Sequence, residues 1–185
     1  MKLDVESRSS QKKSDAKKLR RKGDIPAILY SKGMKGINIS VKEVEFRKIL
    51  NVTPTGTLSS KIFTLTLDGK KVKAIVKEIQ YHVATYAILH IDFEQLHDDT
   101  VVLVKIPVVC SGIADCVGVK LGGVLRQVIR QVKVRALPKD IPNEFSINVR
   151  DLGLGQTKRL DEIKMPAGVL PVTDLKEVAV VIGRR

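Results

Sequence analysis

The sequence predicts a mainly β protein with short helices: a small antiparallel barrel or sheet of roughly five or six strands, followed by a second β-rich half. Three observations carry this. Most apolar runs are short and alternate with polar residues, the period of a half-buried strand. Asp68-Gly69 sits between two such runs, a strong signal for a tight hairpin. A polar stretch, Glu94-Gln95-Leu96-His97-Asp98-Asp99, interrupts the pattern once, after which strands resume.

Residues 2–8 read as a first strand. Residues 9–23, SSQKKSDAKKLRRKG, hold one large apolar residue, Leu19, and cannot bury themselves. They are expected as a loop or surface helix that a partner orders, stopped at Gly23. Ile25 to Tyr30 is strand-like, with Pro26 near its start, where a missing N–H is tolerated. Gly36 to Val41 gives another strand, and Ser40 is placed to cap a modest amphipathic helix over 42–50. Thr53 to Thr57 forms a loop. Residues 61–67 and 71–80 flank the Asp68-Gly69 turn. The strand 85–93 closes this half, with Ala87, Leu89, Ile91 and Phe93 on its apolar face and Ile88, His90 and Asp92 on the other.

In the second half, residues 101–109 form a strand. Val128, Val132, Val134 and Ala136 share one face of another, opposite Gln131, Lys133 and Arg135. Phe145, Ile147 and Val149 alternate similarly, and 178–182 reads as a central strand. Pro138, Pro142, Pro166 and Pro171 punctuate the connections. The expected domains are 1–95 and 96–185.

The 185 residues carry 33 Lys+Arg against 20 Asp+Glu, a net charge of +13, with a pI near 9.8. A polyanion is the natural partner, nucleic acid before an acidic membrane. Residues 1–96 hold 19 basic and 10 acidic side chains, residues 97–185 hold 14 and 10, and the first 22 alone hold 9 and 3. The polyanion is therefore expected at the N-terminal half. Aromatics are only 4% and Trp is absent, which argues against a broad stacking platform for single strands. A charge run is often only a solvated face. Here its one-sided sign, its place in the more basic half and its position next to the strand ending in Tyr30 favour phosphate contact.

Catalytic and ligand motifs fail individually. Cys110 and Cys116 have neither a disulfide framework nor zinc spacing and read as small core residues. Gly118, Gly122 and Gly123 surround Lys120, but the lysine precedes the glycine pair and no Ser or Thr follows, so the phosphate-loop pattern is broken and a glycine-rich turn is expected. His82, His90 and His97 lack metal spacing. His90 and Asp92 point the same way from one strand, the orientation of a catalytic dyad, yet no nucleophile elbow accompanies them. Contact residues on a polar face are the better reading. No apolar run is long enough for a membrane span, and the N-terminus has no signal-peptide core, so a soluble cytoplasmic protein is expected.

At these residues the chain resembles a known family. Lys17-Lys18-Leu19-Arg20-Arg21-Lys22-Gly23-Asp24-Ile25-Pro26-Ala27-Ile28-Leu29-Tyr30 is similar to the opening signature of the bacterial 5S-rRNA-binding family numbered twenty-five in the large ribosomal subunit. Val76 to His82 followed by Leu89-His90-Ile91-Asp92-Phe93 resembles its second signature. Gly118 to Leu125, Leu137 to Pro142 and Met165 to Val169 resemble the appended domain of its long, general-stress (Ctc) form. The resemblance implies a six-stranded N-terminal antiparallel barrel that grips loop E of 5S rRNA, and a β-rich second domain. It implies ribosomal location, other 50S components as neighbours, a monomer outside the ribosome, and neither cofactor, metal, membrane nor small-molecule substrate.

The family's RNA contacts fall on Arg8, Lys17, Arg20, Tyr30, Lys77, Gln80, His90 and Asp92, and the arm adds Lys18 and Arg21. Lys77 and Gln80 have opposite parity, so contact by both requires a bulge. The chain departs from the family at Lys17-Lys18, where an Arg pair is usual. It departs again at Ser31, where Gly is usual, and at Val83, where Pro is usual. Some relatives carry a neutral amide at Lys77. The competing readings are an RNA-processing enzyme using His90 and Asp92, and an architectural DNA-binding protein.

Overall fold

A computed structural model describes residues 1–8, 13–31, 33, 35–54 and 56–184, with the side chain of Lys13 also outside the description. The expected segment 9–23 and loop 53–57 thus lie partly outside the described residues, at 9–12 and Thr55. The chain divides into two compact units, Met1–Thr100 and Val101–Arg185.

The first unit contains β1 (Lys2–Ser7), α1 (Lys13–Lys22), β2 (Asp24–Tyr30), β3 (Ile37–Lys42), α2 (Glu43–Val52), β4 (Ile62–Leu67), β5 (Lys70–Tyr81) and β6 (Ile88–Gln95). The six strands close into a barrel in the order β1-β3-β2-β6-β5-β4. Two of its six joins, β1 with β4 and β2 with β6, are parallel, where an antiparallel barrel was expected. Each parallel join unites strands that other elements separate in sequence, which is what such a join requires.

Alternation fills the barrel. Leu3, Val5, Ile25, Ala27, Leu29, Ile39, Val41, Phe63, Leu65, Ile91 and Phe93 are buried together, and Phe46 of α2 joins the same core. Phe63 and Phe93 meet edge to face, with ring centroids 6.1 Å apart at 73°. That geometry suits the aromatic quadrupoles. The β4–β5 turn is as expected: Asp68 (φ 47°) and Gly69 (φ 78°) both occupy the left-handed region, which a two-residue hairpin of matching twist needs.

Three local expectations are corrected. Ser40 lies inside β3, and α2 begins after Lys42 with no side-chain cap. Its first-turn acids, Glu43 and Glu45, instead complement the positive end of the helix. The last barrel strand begins at Ile88, three residues later than expected, because residues 82–87 form the turn from β5. A register shift leaves Leu89 as an extra residue between the pairs Gln80–His90 and Tyr81–Ile88. Ile88 is therefore buried while Leu89 is only half-buried, which reverses the expected parity at this end of the strand.

The second unit contains β7 (Val102–Ser111), α3 (Val117–Lys120), β8 (Val124–Gln127), β9 (Gln131–Ala136), β10 (Phe145–Asn148), β11 (Thr157–Arg159), β12 (Leu170–Pro171) and β13 (Val178–Gly183). They form one sheet in the order β10-β7-β9-β12 and another in the order β11-β13-β8. The apolar strand 178–182 is central in its sheet, as its continuous pattern predicts. Val132, Val134 and Ala136 are buried as expected. Val128 is 60% exposed and lies outside β9, so it does not share their face.

The glycine-rich segment folds as the four-residue α3 and a turn. A Cβ on Gly118 would come within 2.9 Å of the Gly153 carbonyl carbon, and one on Gly123 within 2.7 Å of the Gly118 oxygen. These glycines permit backbone packing.

Candidate nucleic-acid interface

The outer surface of β2, β6 and β5, with α1 beside it, gathers most of the residues singled out in the sequence. The pairing of β5 with β6 shifts between Val76–Phe93 and Glu78–Asp92, so Lys77 is the extra residue of a bulge. Val76 is buried before the shift and Ile79 packs on the core after it. Inward parity changes across the bulge, and both Lys77 and Gln80 stay on the outer side. The bulge that joint contact requires is present.

Gln80 stands opposite His90, and Glu78 opposite Asp92. His90 and Asp92, two residues apart on β6, are joined by a 2.7 Å hydrogen bond from the imidazole Nδ1 side to Oδ1. With Nδ1–H donating, Nε2 of a neutral ring is left as an acceptor directed away from Asp92. Lys77 forms an ion pair with Glu94.

Tyr30 ends β2 in register with Glu94. Burial pushes its phenol above the ordinary value, and Glu94, Asp92 and Glu78 push it further. The phenol is therefore protonated at neutral pH and able to donate a hydrogen bond. Glu94 beside Tyr30 is not anticipated from the sequence, which places it in the polar linker. Its even parity with His90 and Asp92 on β6 was the available signal.

The cationic side is built by α1. Leu19 and Ala16 are half-buried, and the helix packs on β2. Gly23, at φ 86°, ends it and donates its N–H to the Arg20 carbonyl, the usual role of glycine after a helix. Arg20, Arg21 and Lys22 occupy the last turn, where positive charge complements the helix dipole. Arg20 reaches β6, donating from Nε to the Leu89 carbonyl at 3.1 Å. The bulge at Leu89 thus lies where the helix touches the barrel. Arg8 donates from Nε to the Ile39 carbonyl at 3.1 Å. Burial lowers its pKa and so does the neighbouring Arg20, so two guanidinium groups stand close enough to repel. An anion between them would relieve that repulsion.

Lys17 and Arg21 are exposed on α1, next to Arg20 on the helical wheel. Lys18 is also exposed, but two residues of helix rotate it about 160° away from Arg20. Seven of the ten expected residues, Arg8, Arg20, Tyr30, Lys77, Gln80, His90 and Asp92, are thus linked by pairing, hydrogen bonds or charge. Lys17 and Arg21 extend the set, and Lys18 does not join it.

The other histidines have local tasks. His82 Nδ1 accepts the backbone N–H groups of Ala84 and Thr85 within the β5–β6 turn. His97 Nε2 bonds the Ser31 hydroxyl at 2.7 Å. Ser31, at a position where the family resemblance leads one to expect glycine, is buried and satisfied by this bond. No cluster of three or more potential metal ligands occurs among the described residues. No helix of the described residues is long and apolar enough to cross a membrane.

The chain is similar to known proteins along its whole length. Residues 3–93 match the model of the Ribosomal L25p family, and residues 101–184 match that of the Ribosomal protein TL5, C-terminal domain. Full-length relatives include proteins named Large ribosomal subunit protein bL25 from Chlamydia abortus (51% identical), Chlamydia muridarum (50%) and Chlamydia pneumoniae (49%). Each alignment covers 185 residues and the whole of both chains. The family consists of ribosomal proteins without enzymatic activity, which sets aside RNA processing by His90 and Asp92. The chain belongs to the Ribosomal L25p family.

Proposed function

We propose that this chain is a structural constituent of the large ribosomal subunit and that its first unit binds 5S rRNA at loop E. The observation that carries the reading is the join between cationic helix and polar barrel face at Arg20 and Leu89. A-form RNA hides its major groove from side chains, whereas an irregular internal loop opens it. The α1 cations and the Arg8–Arg20 pair grip phosphates. Gln80, His90, Asp92 and the protonated Tyr30 offer donors and acceptors to base edges and sugars. The acids among them repel a bare phosphate and so favour base and hydroxyl contacts. The chain acts as a monomer before assembly, in the cytoplasm, and meets other components of the 50S subunit once there. The second domain corresponds to that of the general-stress form.

The test is equilibrium binding of the full chain to 5S rRNA and to the same RNA with loop E replaced by regular pairs. The wild type is expected to prefer the native RNA, and Gln80→Ala to shrink that preference. Equal affinity of the wild type for both RNAs would overturn the loop E assignment.

A further inference from the structure

The second unit has a charged surface that the barrel reading leaves unused. On the outer face of the β7–β9 pair, Lys105 stands directly opposite Lys133, and Leu103 opposite Arg135. Lys133 and Arg135, two residues apart on β9, lie about 6.6 Å from each other along the strand. All three cations are exposed, while Val132, Val134 and Ala136, which alternate with Lys133 and Arg135 on β9, are buried. Like charges directly opposite across a sheet are destabilising.

In this unit Lys120 and Arg150 pair with Asp115, and Lys158 with Glu162. Among the described residues, neither Lys133 nor Arg135 has an ion pair. The composition agrees, since residues 101–185 carry 14 Lys+Arg against 8 Asp+Glu.

We propose that this face is a second RNA-binding site, one that holds the phosphate backbone of a regular duplex. Its chemistry is distinct from that of the barrel. The face presents ammonium and guanidinium groups on a rigid sheet with the apolar Leu103 and Leu170 beside them, 40% and 67% exposed. It presents no cluster of hydrogen-bonding side chains comparable to Gln80, His90 and Asp92. Such a face neutralises phosphates without reading bases. Asp174 and Glu177 line a shallow groove with Arg130 and Lys133 at the start of β9. The backbone therefore lies toward Arg135 and Lys105, away from those acids. A short duplex suits the face better than a protein partner, because repeated cations at strand spacing match a repeating anion.

The experiment uses the full chain and a regular A-form RNA duplex of about 16 base pairs, enough to span two minor grooves, without any internal loop. Five proteins are compared by salt titration: wild type, K17A/R21A, K133A/R135A, the combination K133A/R135A/K17A/R21A, and the control R126A/K164A, whose cations are exposed outside the β7–β9 pair. K133A/R135A is expected to weaken binding about tenfold and to lower the slope of log affinity against log salt by one to two. K17A/R21A should retain a component of duplex binding that K133A/R135A/K17A/R21A loses. The control should stay within about twofold of wild type, as its charges lie off the proposed path. Thermal unfolding of K133A/R135A should be no lower than that of the wild type, since the substitution relieves like-charge opposition. Duplex affinity of K133A/R135A equal to that of the control would overturn the proposal. So would loss of binding to anionic lipid vesicles with duplex binding unmoved, which would assign the face to a membrane surface.

Discussion

The two units carry nearly the same charge and place it differently. Residues 1–100 hold 19 Lys+Arg and 12 Asp+Glu; residues 101–185 hold 14 and 8. In the first unit most of the surplus sits in the first 22 residues, with 9 basic and 3 acidic side chains. The barrel face beside that arm is polar and partly acidic. In the second unit the surplus is spread over sheet surfaces. Under the proposed reading, net charge alone therefore does not distinguish a surface that reads RNA from one that only holds it. The difference lies in whether cations border an organised polar face.

The comparison also shows how a boundary colours a sequence reading. Dividing the chain after residue 96 assigns Asp98 and Asp99 to the second half and makes it look weakly basic. The structure keeps both in the first unit, where Asp98 lies 3.5 Å from Lys73.

The largest expected effect is on the scaffold. Phe93 is fully buried against Phe63 at the centre of the barrel, so Phe93→Ala should cost about 3–5 kcal/mol in denaturant unfolding. A cost under about 1 kcal/mol would mean that the barrel core is not what holds the reading face. The next concerns the face itself. His90→Ala removes a ring bonded to Asp92 and should weaken 5S rRNA affinity by roughly 1–3 kcal/mol. The same substitution, measured on an RNA lacking loop E, should cost much less.

Smaller effects separate gripping from reading within the first unit. Lys17→Ala and Arg21→Ala should weaken cognate and altered RNA about equally and reduce the salt slope by somewhat under one unit each. Gln80→Ala should leave the slope nearly unchanged, because an amide releases no counterion. Lys18→Ala, on the far flank of α1 from Arg20, should have a smaller effect than Lys17→Ala; the reverse order would show that the helix binds through its other side.

The smallest effect is one of pH. Burial and three neighbouring acids raise the pKa of Tyr30 above its ordinary value of 10.0. A raised pKa in the folded state gives a stabilisation present below the unfolded value and lost as pH rises through the folded one. Tyr30→Phe should therefore unfold less steeply with alkali above about pH 10 than the wild type. An identical alkaline limb would place Tyr30 away from those acids.

Much of the architecture was legible because alternation and turn chemistry are local. Asp68-Gly69 located its hairpin, and Ile91 and Phe93 marked the core. The His90–Asp92 pairing followed from strand parity. What escaped were shifts that depend on partner strands. The extra residue Leu89 moved Ile88 into the core and offered its carbonyl to Arg20, yet nothing in its own sequence announces a bulge. The need for a bulge at Lys77 was visible only after Lys77 and Gln80 were required to share a face. The parallel joins β1–β4 and β2–β6 were hidden for the same reason, since closure of a barrel is a property of the whole strand set.

The central claim is that selectivity resides on the barrel face and not on the second unit's sheet. Its most direct test is the affinity ratio of the full chain for native 5S rRNA over 5S rRNA with loop E made regular. This ratio is measured for wild type, Q80A/H90A and K133A/R135A. The account predicts that Q80A/H90A lowers the ratio by about tenfold or more, the loss of one or two buried polar contacts. K133A/R135A should weaken both RNAs alike and leave the ratio unchanged. A ratio that falls in K133A/R135A and persists in Q80A/H90A would contradict it.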